Sequence, residues 1–296
     1  MDIQILAQKF FDHSRYFKGY TEATVKKYKY VLDMYCRMAG VTIIKEVSES
    51  NVRDLFLRGR TERKWSVSTF QCFYKCLKVF FRWCITNGYL EKNPVEGIEV
   101  PRLERKLPSK LTKQEALRLT EVAFHYPYDY PFLRYRNHAI FSTFIFAGLR
   151  KNELLHLKLG DVDIDNLTIF IRQGKGRKDR IVPMSYTLAQ SISRYLTERK
   201  KLNRTCPEFF ISLNRNCGFT QNGLKWLVAN IRSASKIRFT IHQLRHTFAT
   251  LMLEGGCDIY SLSKMMGHSD INTTTIYLSA SAEHLRSQIS KHPLND

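Results

Sequence analysis

Between residues 66 and 87 the apolar side chains Phe70, Phe73, Leu77, Phe80, Phe81 and Cys84 recur at steps of three and four. That spacing predicts a helix with one buried side, and Gly88 ends it. Residues 3 to 17, 21 to 39 and 50 to 63 repeat the pattern, so the amino-terminal part reads as a small helical bundle. Its outward faces carry Lys26, Lys27, Lys29, Arg53, Arg58, Arg60, Arg63, Lys64, Lys75 and Lys78. Such a face is solvated by default and serves as a phosphate-contacting face when the partner is nucleic acid.

The periodicity stops at Asn93. NPVEGIEVPRLERKLPSK, residues 93 to 110, has three prolines and alternating charge, which is linker composition. The expected division is therefore a helical domain at 1–92, a linker at 93–110 and a second domain at 111–296. An extended basic linker would let the two domains clamp opposite faces of a duplex. Thr112 and Glu115 form a capping-box pattern that opens a helix. The aromatic, proline-containing stretch 126 to 135 reads as a packed or interdomain loop in preference to a base-stacking surface. Helices are expected at 137–148 and 151–157.

From Val162 the period changes from helical to alternating. VDI, LTIFIR and RIVPM, separated by a turn at Asp165-Asn166 and by the loop GKGRKD, predict a three-stranded antiparallel meander. Helices resume at 186–201 and 220–235, and a short strand is expected at 209–213. The fold class is mainly α: an amino-terminal helical bundle, then a mixed α/β domain with one small sheet.

Charge narrows the partner. With 47 Lys and Arg against 27 Asp and Glu, the formal charge is +20, which favours a polyanion. Residues 1 to 110 hold 21 basic and 12 acidic side chains and the remainder 26 and 15, so both halves share the excess. Seven cysteines, scattered and without a CxxC pair, read as reduced thiols. The amino terminus lacks a signal-peptide pattern and no apolar run is long enough to cross a membrane, so a cytoplasmic protein is expected.

Candidate chemistry concentrates in FTIHQLRHTFATLMLEGGCDIYSLSKMMGHSDINTTTIYL, residues 239 to 278. His242 and Arg245 are three apart on a helical segment and can meet one phosphate, while Leu244, Phe248 and Leu251 face inward. His268 follows the helix-ending Gly267, and Tyr277 lies on a short helix nine residues on. Upstream, Arg150 ends an apolar helix in AGLRKNEL, with Glu153 one turn further to hold its guanidinium. Lys175 sits between two glycines at the hairpin tip, and Lys178 and Arg180 beside it read as phosphate contacts. Each residue alone is ordinary: a helix-end salt bridge, a turn lysine, a core aromatic. HQLRH imitates a zinc-protease helix, but Gln243 stands where a carboxylate base is needed, so no metal is expected.

In order, AGLR, GKGRKDR, HQLRHTFAT, MMGHS and TIYLS resemble the tyrosine recombinase (phage integrase) family, filling its positions with Arg150, Lys175, His242, Arg245, His268 and Tyr277. LPSKLTKQEA and the helical amino-terminal part resemble Xer-type and mobile-element integrases, so the likeness covers nearly the whole chain. The resemblance implies a site-specific DNA recombinase acting in dimer resolution or in integration and excision of a mobile element. Tyr277 is then the nucleophile, attacking the scissile phosphate to give a 3′-phosphotyrosine. Arg150, Arg245 and His268 offset charge in the transition state, Lys175 is the general acid, and His242 supports proton transfer. Bond energy is conserved in the intermediate, so neither ATP nor another cofactor is expected. The implied partner is double-stranded DNA carrying a specific site, bound by a homotetramer through a Holliday junction. The tail after Tyr277 passes between subunits, anchored by Leu285 and Ile289. A catalytically silent DNA-binding protein and a type IB topoisomerase are the competing readings. The complete set of six argues against the first, and the short chain with its Xer-like linker against the second.

Overall fold

The computed structural model describes residues 1–104, 108–172, 179–268 and 270–278. Lys175, Lys178 and the tail with Leu285 and Ile289 lie outside the described residues. The chain divides into two compact units, Met1–Arg105 and Lys106–Asp296.

The first unit is built from α1 (Ile3–Asp12), α2 (Glu22–Ala39), α3 (Glu49–Thr61) and α4 (Val67–Thr86), with a π-helical turn, His13–Phe17, extending α1. Each helix starts where a short polar side chain accepts a backbone N–H of the first turn: Asp2, Thr21, Ser48 and Ser66. The stripes expected from the spacing form one core around Leu6, Phe10, Tyr35, Leu77, Phe80 and Phe81. The basic side chains named above are exposed apart from Lys78, which is half-buried and lies 5.6 Å from the Tyr74 ring centroid. Val95 and Ile98, within the stretch of linker composition, belong to this core, and Pro101 accepts a 2.9 Å bond from Gln71 Nε2. Alternating charge masked two isolated apolar anchors.

The second unit holds α5 (Lys113–His125), α6 (Pro131–Ala147), α7 (Lys151–His156), β1 (Val162–Asp163), β2 (Thr168–Ile171), β3 (Arg180–Pro183), α8 (Tyr186–Lys201), α9 (Gln221–Ser235), α10 (Ile241–Glu254), α11 (Ile259–Met266) and α12 (Asn272–Leu278). The strands form the antiparallel meander β1-β2-β3, with Ile169 opposite Val162 and Val182, and Ile171 opposite Arg180. Ile169, Ile171 and Val182 are buried and join the core of α6 and α8. From Arg136 on, α6 is buried around most of its girth because it packs against α5, α8 and α10 at once.

Two expectations change here. The helix expected from 137 starts at Pro131, because a proline at the first helical position fits a helix start and leaves no unpaired N–H. The packed character of 126–135 stands: Phe132 is in the core and the Tyr128 hydroxyl is buried, with Tyr130 exposed. The strand expected at 209–213 is only an isolated bridge between Ile211 and Gly218. Phe209, Phe210 and Ile211 are buried by packing, with Phe210 stacked on the Tyr195 ring and Phe209 edge-on to it, and their apolar run imitates a strand.

Ser109, Lys110 and Leu111 run along α10. Ser109 Oγ accepts from Gln243 Nε2 at 3.0 Å, Leu111 N–H donates to Thr247 Oγ1 at 2.9 Å, and Lys110 pairs with Glu254.

Candidate active site

Three arginines distant in sequence meet at the carboxyl end of α11. Arg180 Nε donates to the Met265 carbonyl at 2.8 Å, Arg245 Nη2 to that of Met266, and Arg150 Nη2 to that of Gly267 at 2.9 Å. The last carbonyls of a helix lack partners within it and carry the negative end of its dipole, so guanidinium groups are the natural caps. Gly267 makes this possible with φ of 62°, the left-handed conformation that turns the chain out of the helix and into His268.

Glu153 supplies the second counter-charge. Its carboxylate accepts both ends of the Arg180 fork at 2.8 Å, Arg150 Nη1 at 2.7 Å and the Arg150 backbone N–H at 2.7 Å. Burial alone would push this carboxyl up; the hydrogen bonds and charge of Arg180, reinforced by Arg150, hold it down at about 2. Arg180 therefore spends its whole fork and its Nε internally with 8% of the side chain exposed, which overturns its reading as a phosphate contact. Its role is to fix Glu153 beneath Arg150. Arg150 keeps 25% of its side chain exposed.

Arg245 is 3% exposed and bridges two turns, donating to the Gly148 carbonyl as well as to Met266. Gly148 caps α6 at φ 60°, and a Cβ there would lie 2.2 Å from Phe248 Cδ1, so the turn that delivers Arg150 requires glycine. Burial and the neighbouring Arg150 lower Arg245 to about 9, which leaves it charged at neutral pH.

The imidazoles and the phenol complete the cluster. His268 Nε2 lies 3.4 Å from Arg245 Nη2 and its Nδ1 2.8 Å from Thr274 Oγ1. Its ring is nearly parallel to that of Tyr277, at 6.5 Å and 12°. Tyr277 is 2% exposed and packs with Phe248, Leu253, Leu262 and Met266 in a small core of its own. Burial raises its pKa while Arg245 and Arg150 pull it down, and burial wins. His242 is exposed, held below its ordinary range by burial and by Arg245 and Arg150. So His242, Arg245, His268, Tyr277 and Arg150 come together as expected, except that His242 and Arg245 differ in depth: one faces solvent, the other lies under it.

Sequence reasoning passed over His246, treating it as half of a metal decoy. Its Nδ1 lies 2.8 Å from the Tyr277 hydroxyl. Among the described residues no group of three His, Cys, Asp or Glu is placed to hold a metal ion. The position of His246 one turn after His242, on the same face of the helix, was the signal available.

Residues 110–284 match the phage integrase family and residues 6–90 its N-terminal SAM-like domain. The chain belongs to the phage integrase family. It is a site-specific tyrosine recombinase of Xer type, and this family's chemistry proceeds through a covalent phosphotyrosine. Tyrosine recombinase XerA of Pyrococcus horikoshii is 31% identical over 281 residues, 94% of this chain and 90% of that protein. Tyrosine recombinase XerC of Oceanobacillus iheyensis is 30% identical over 301 residues, 98% and 97%. The fold matches the Tn1549 transposon integrase in complex with transposon right end DNA, at a TM-score of 0.77, 20% identity and 99% coverage of both chains. No helix among the described residues is long and apolar enough to cross a membrane.

Proposed function

We propose that Tyr277 is the nucleophile of this recombinase, attacking the scissile phosphate of a duplex that carries a specific site. The carrying observation is the Arg245 guanidinium, which ties the Gly148 turn to the end of α11 and so gathers Arg150, His268 and Tyr277 in one place. The guanidinium groups of Arg150 and Arg245, with His268, offset charge on the non-bridging oxygens as the phosphoryl group passes in line from 5′ oxygen to phenol. Each such donor is worth roughly a hundred- to a thousand-fold in rate. Because Glu153 and three carbonyls at the end of α11 fix the arginines before substrate arrives, little reorganisation is needed at the moment of reaction.

Lys175 protonates the departing 5′ oxygen, and His242, an exposed residue of α10, supports that proton transfer. The phosphotyrosine keeps the energy of the broken ester, so a 5′ hydroxyl from a partner strand reverses the step. Exchange between two duplexes calls for a tetramer assembled on DNA in the cytoplasm, with the segment after Tyr277 passed to a neighbouring subunit. The excess of basic side chains, shared by both halves of the sequence, supplies the phosphate contacts.

The test is a nicked duplex carrying the recombination site, itself recovered by capturing covalent adducts from random-sequence duplexes. Wild type should give a denaturation-resistant protein–DNA adduct and Tyr277→Phe none, with DNA binding retained. An adduct persisting in the phenylalanine variant moves the nucleophile elsewhere.

A further inference from the structure

We propose that His246 is the base that takes the phenol proton as Tyr277 attacks. The inference rests on Tyr277 being the nucleophile, and adds a group outside the six the sequence singled out. Among the described residues the hydrogen-bond partner of the phenol is His246 Nδ1, at 2.8 Å, while His242 meets it through His246, ring centroids 4.3 Å apart. A base must lie within hydrogen-bond reach of the proton it removes, and His246 already does.

Its placement follows from the helix. His246 is the residue after Arg245 on α10, so the group that holds phosphate charge and the group that takes the proton come from one turn. The Tyr277 ring is clasped between His246, at 5.5 Å and 53°, and His268, at 6.5 Å and 12°, which directs its oxygen at Nδ1. Burial, with His242 and Arg245 beside it, holds His246 down at about 4, so the ring is neutral, with Nδ1 free to accept and its own proton on Nε2. The charged and titratable groups that act on it are His242 and Arg245 on α10, with Tyr277 on α12 bonded to Nδ1 and His268 on the other side of the Tyr277 ring. A phosphodiester entering among these arginines brings a negative charge that offsets theirs and raises the basicity of His246 at the point of use.

The step balances. The Tyr277 oxygen–phosphorus bond forms and the phosphorus–O5′ bond breaks. The phenol proton moves to His246 Nδ1, and the leaving oxygen takes a separate proton from the general acid. Rejoining returns both protons.

The experiment uses the full chain and the nicked duplex above, made once with oxygen and once with sulfur at the 5′ bridging position, since a thiolate leaves without being protonated. His246→Asn puts an amide oxygen near the Nδ1 position, keeping the hydrogen bond but not the basicity. Expected are adduct formation slowed on the order of a hundred- to a thousand-fold on both substrates, unchanged DNA binding, and a rate that climbs with pH as phenolate forms unaided. Lys175→Ala should be slow on the oxygen substrate alone. His246→Ala, checked for DNA binding, should regain activity when imidazole is added. A His246→Asn rate within a few fold of wild type overturns the proposal and leaves Tyr277 as nucleophile. Recovery of that variant on the sulfur substrate also overturns it, by moving His246 to the leaving-group side. An adduct in Tyr277→Phe instead defeats the reading beneath it.

Discussion

Replacing Glu153 with Gln keeps the shape of the side chain and one oxygen able to accept the Arg150 backbone N–H, but removes the charge and turns the other acceptor into an NH2 that faces arginine donors. In the folded protein this carboxyl lies at about 2 against an ordinary 4.5. A folded pKa below the unfolded one means that ionisation stabilises the fold: the contribution is full above pH 4.5 and is lost as pH falls toward 2. At 1.36 kcal/mol for each pH unit the difference amounts to about 3 kcal/mol at neutral pH and roughly 1.4 kcal/mol at pH 3. An independent route gives a similar size, since breaking one side of a buried ion pair costs about 3–5 kcal/mol. Hydrogen exchange of the α10 amides reads the opening free energy of this unit apart from the amino-terminal one. Glu153→Gln should lower it by about 3 kcal/mol at pH 7, and the gap from wild type should narrow as pH drops through 4. A gap under about 1 kcal/mol, or one that does not change with pH, would refute the claim that Glu153 is the counter-ion that organises the arginines.

Gly148→Ala must accept a left-handed backbone and a Cβ 2.2 Å from Phe248 Cδ1, so a loss of at least about 2 kcal/mol in a thermal melt is expected, with slower adduct formation because the Gly148 carbonyl holds Arg245. Arg180→Met should cost about 3–5 kcal/mol while leaving the log–log salt slope of DNA binding unchanged. A slope smaller by about one would mean that Arg180 contacts phosphate after all.

The helices of the first unit and the three-stranded meander were legible because each repeats a period that the eye can count, and the helix caps are local: Thr21, Ser48 and Ser66 bond within three residues of themselves. Arg150 was legible for the same reason, with Gly148 and Glu153 as its immediate neighbours. Arg180 was not. Its partners are Glu153 and Met265, 27 and 85 residues away, and a basic residue beside a Gly-Lys-Gly loop looks like any other surface cation until the fold brings a carboxylate to it. His246 failed differently: its sequence setting suggested a metal helix, and ruling out the metal removed the residue from view along with it. Phe209 to Ile211 show the reverse error, in which burial by side-chain packing gave an apolar run the look of a strand.

The contacts of Ser109, Lys110 and Leu111 with α10 decide where this protein can be divided and recombined with its own relatives. The helix that carries His242, Arg245 and His246 has a neighbour from before α5, so the catalytic module begins upstream of its first helix. A chimera that exchanges the DNA-gripping half while keeping this chemistry should be spliced before Ser109. A join at Lys113 would take Ser109 and Lys110 from the other parent and lose their side-chain contacts with Gln243 and Glu254 on the helix from which the arginine and both imidazoles project.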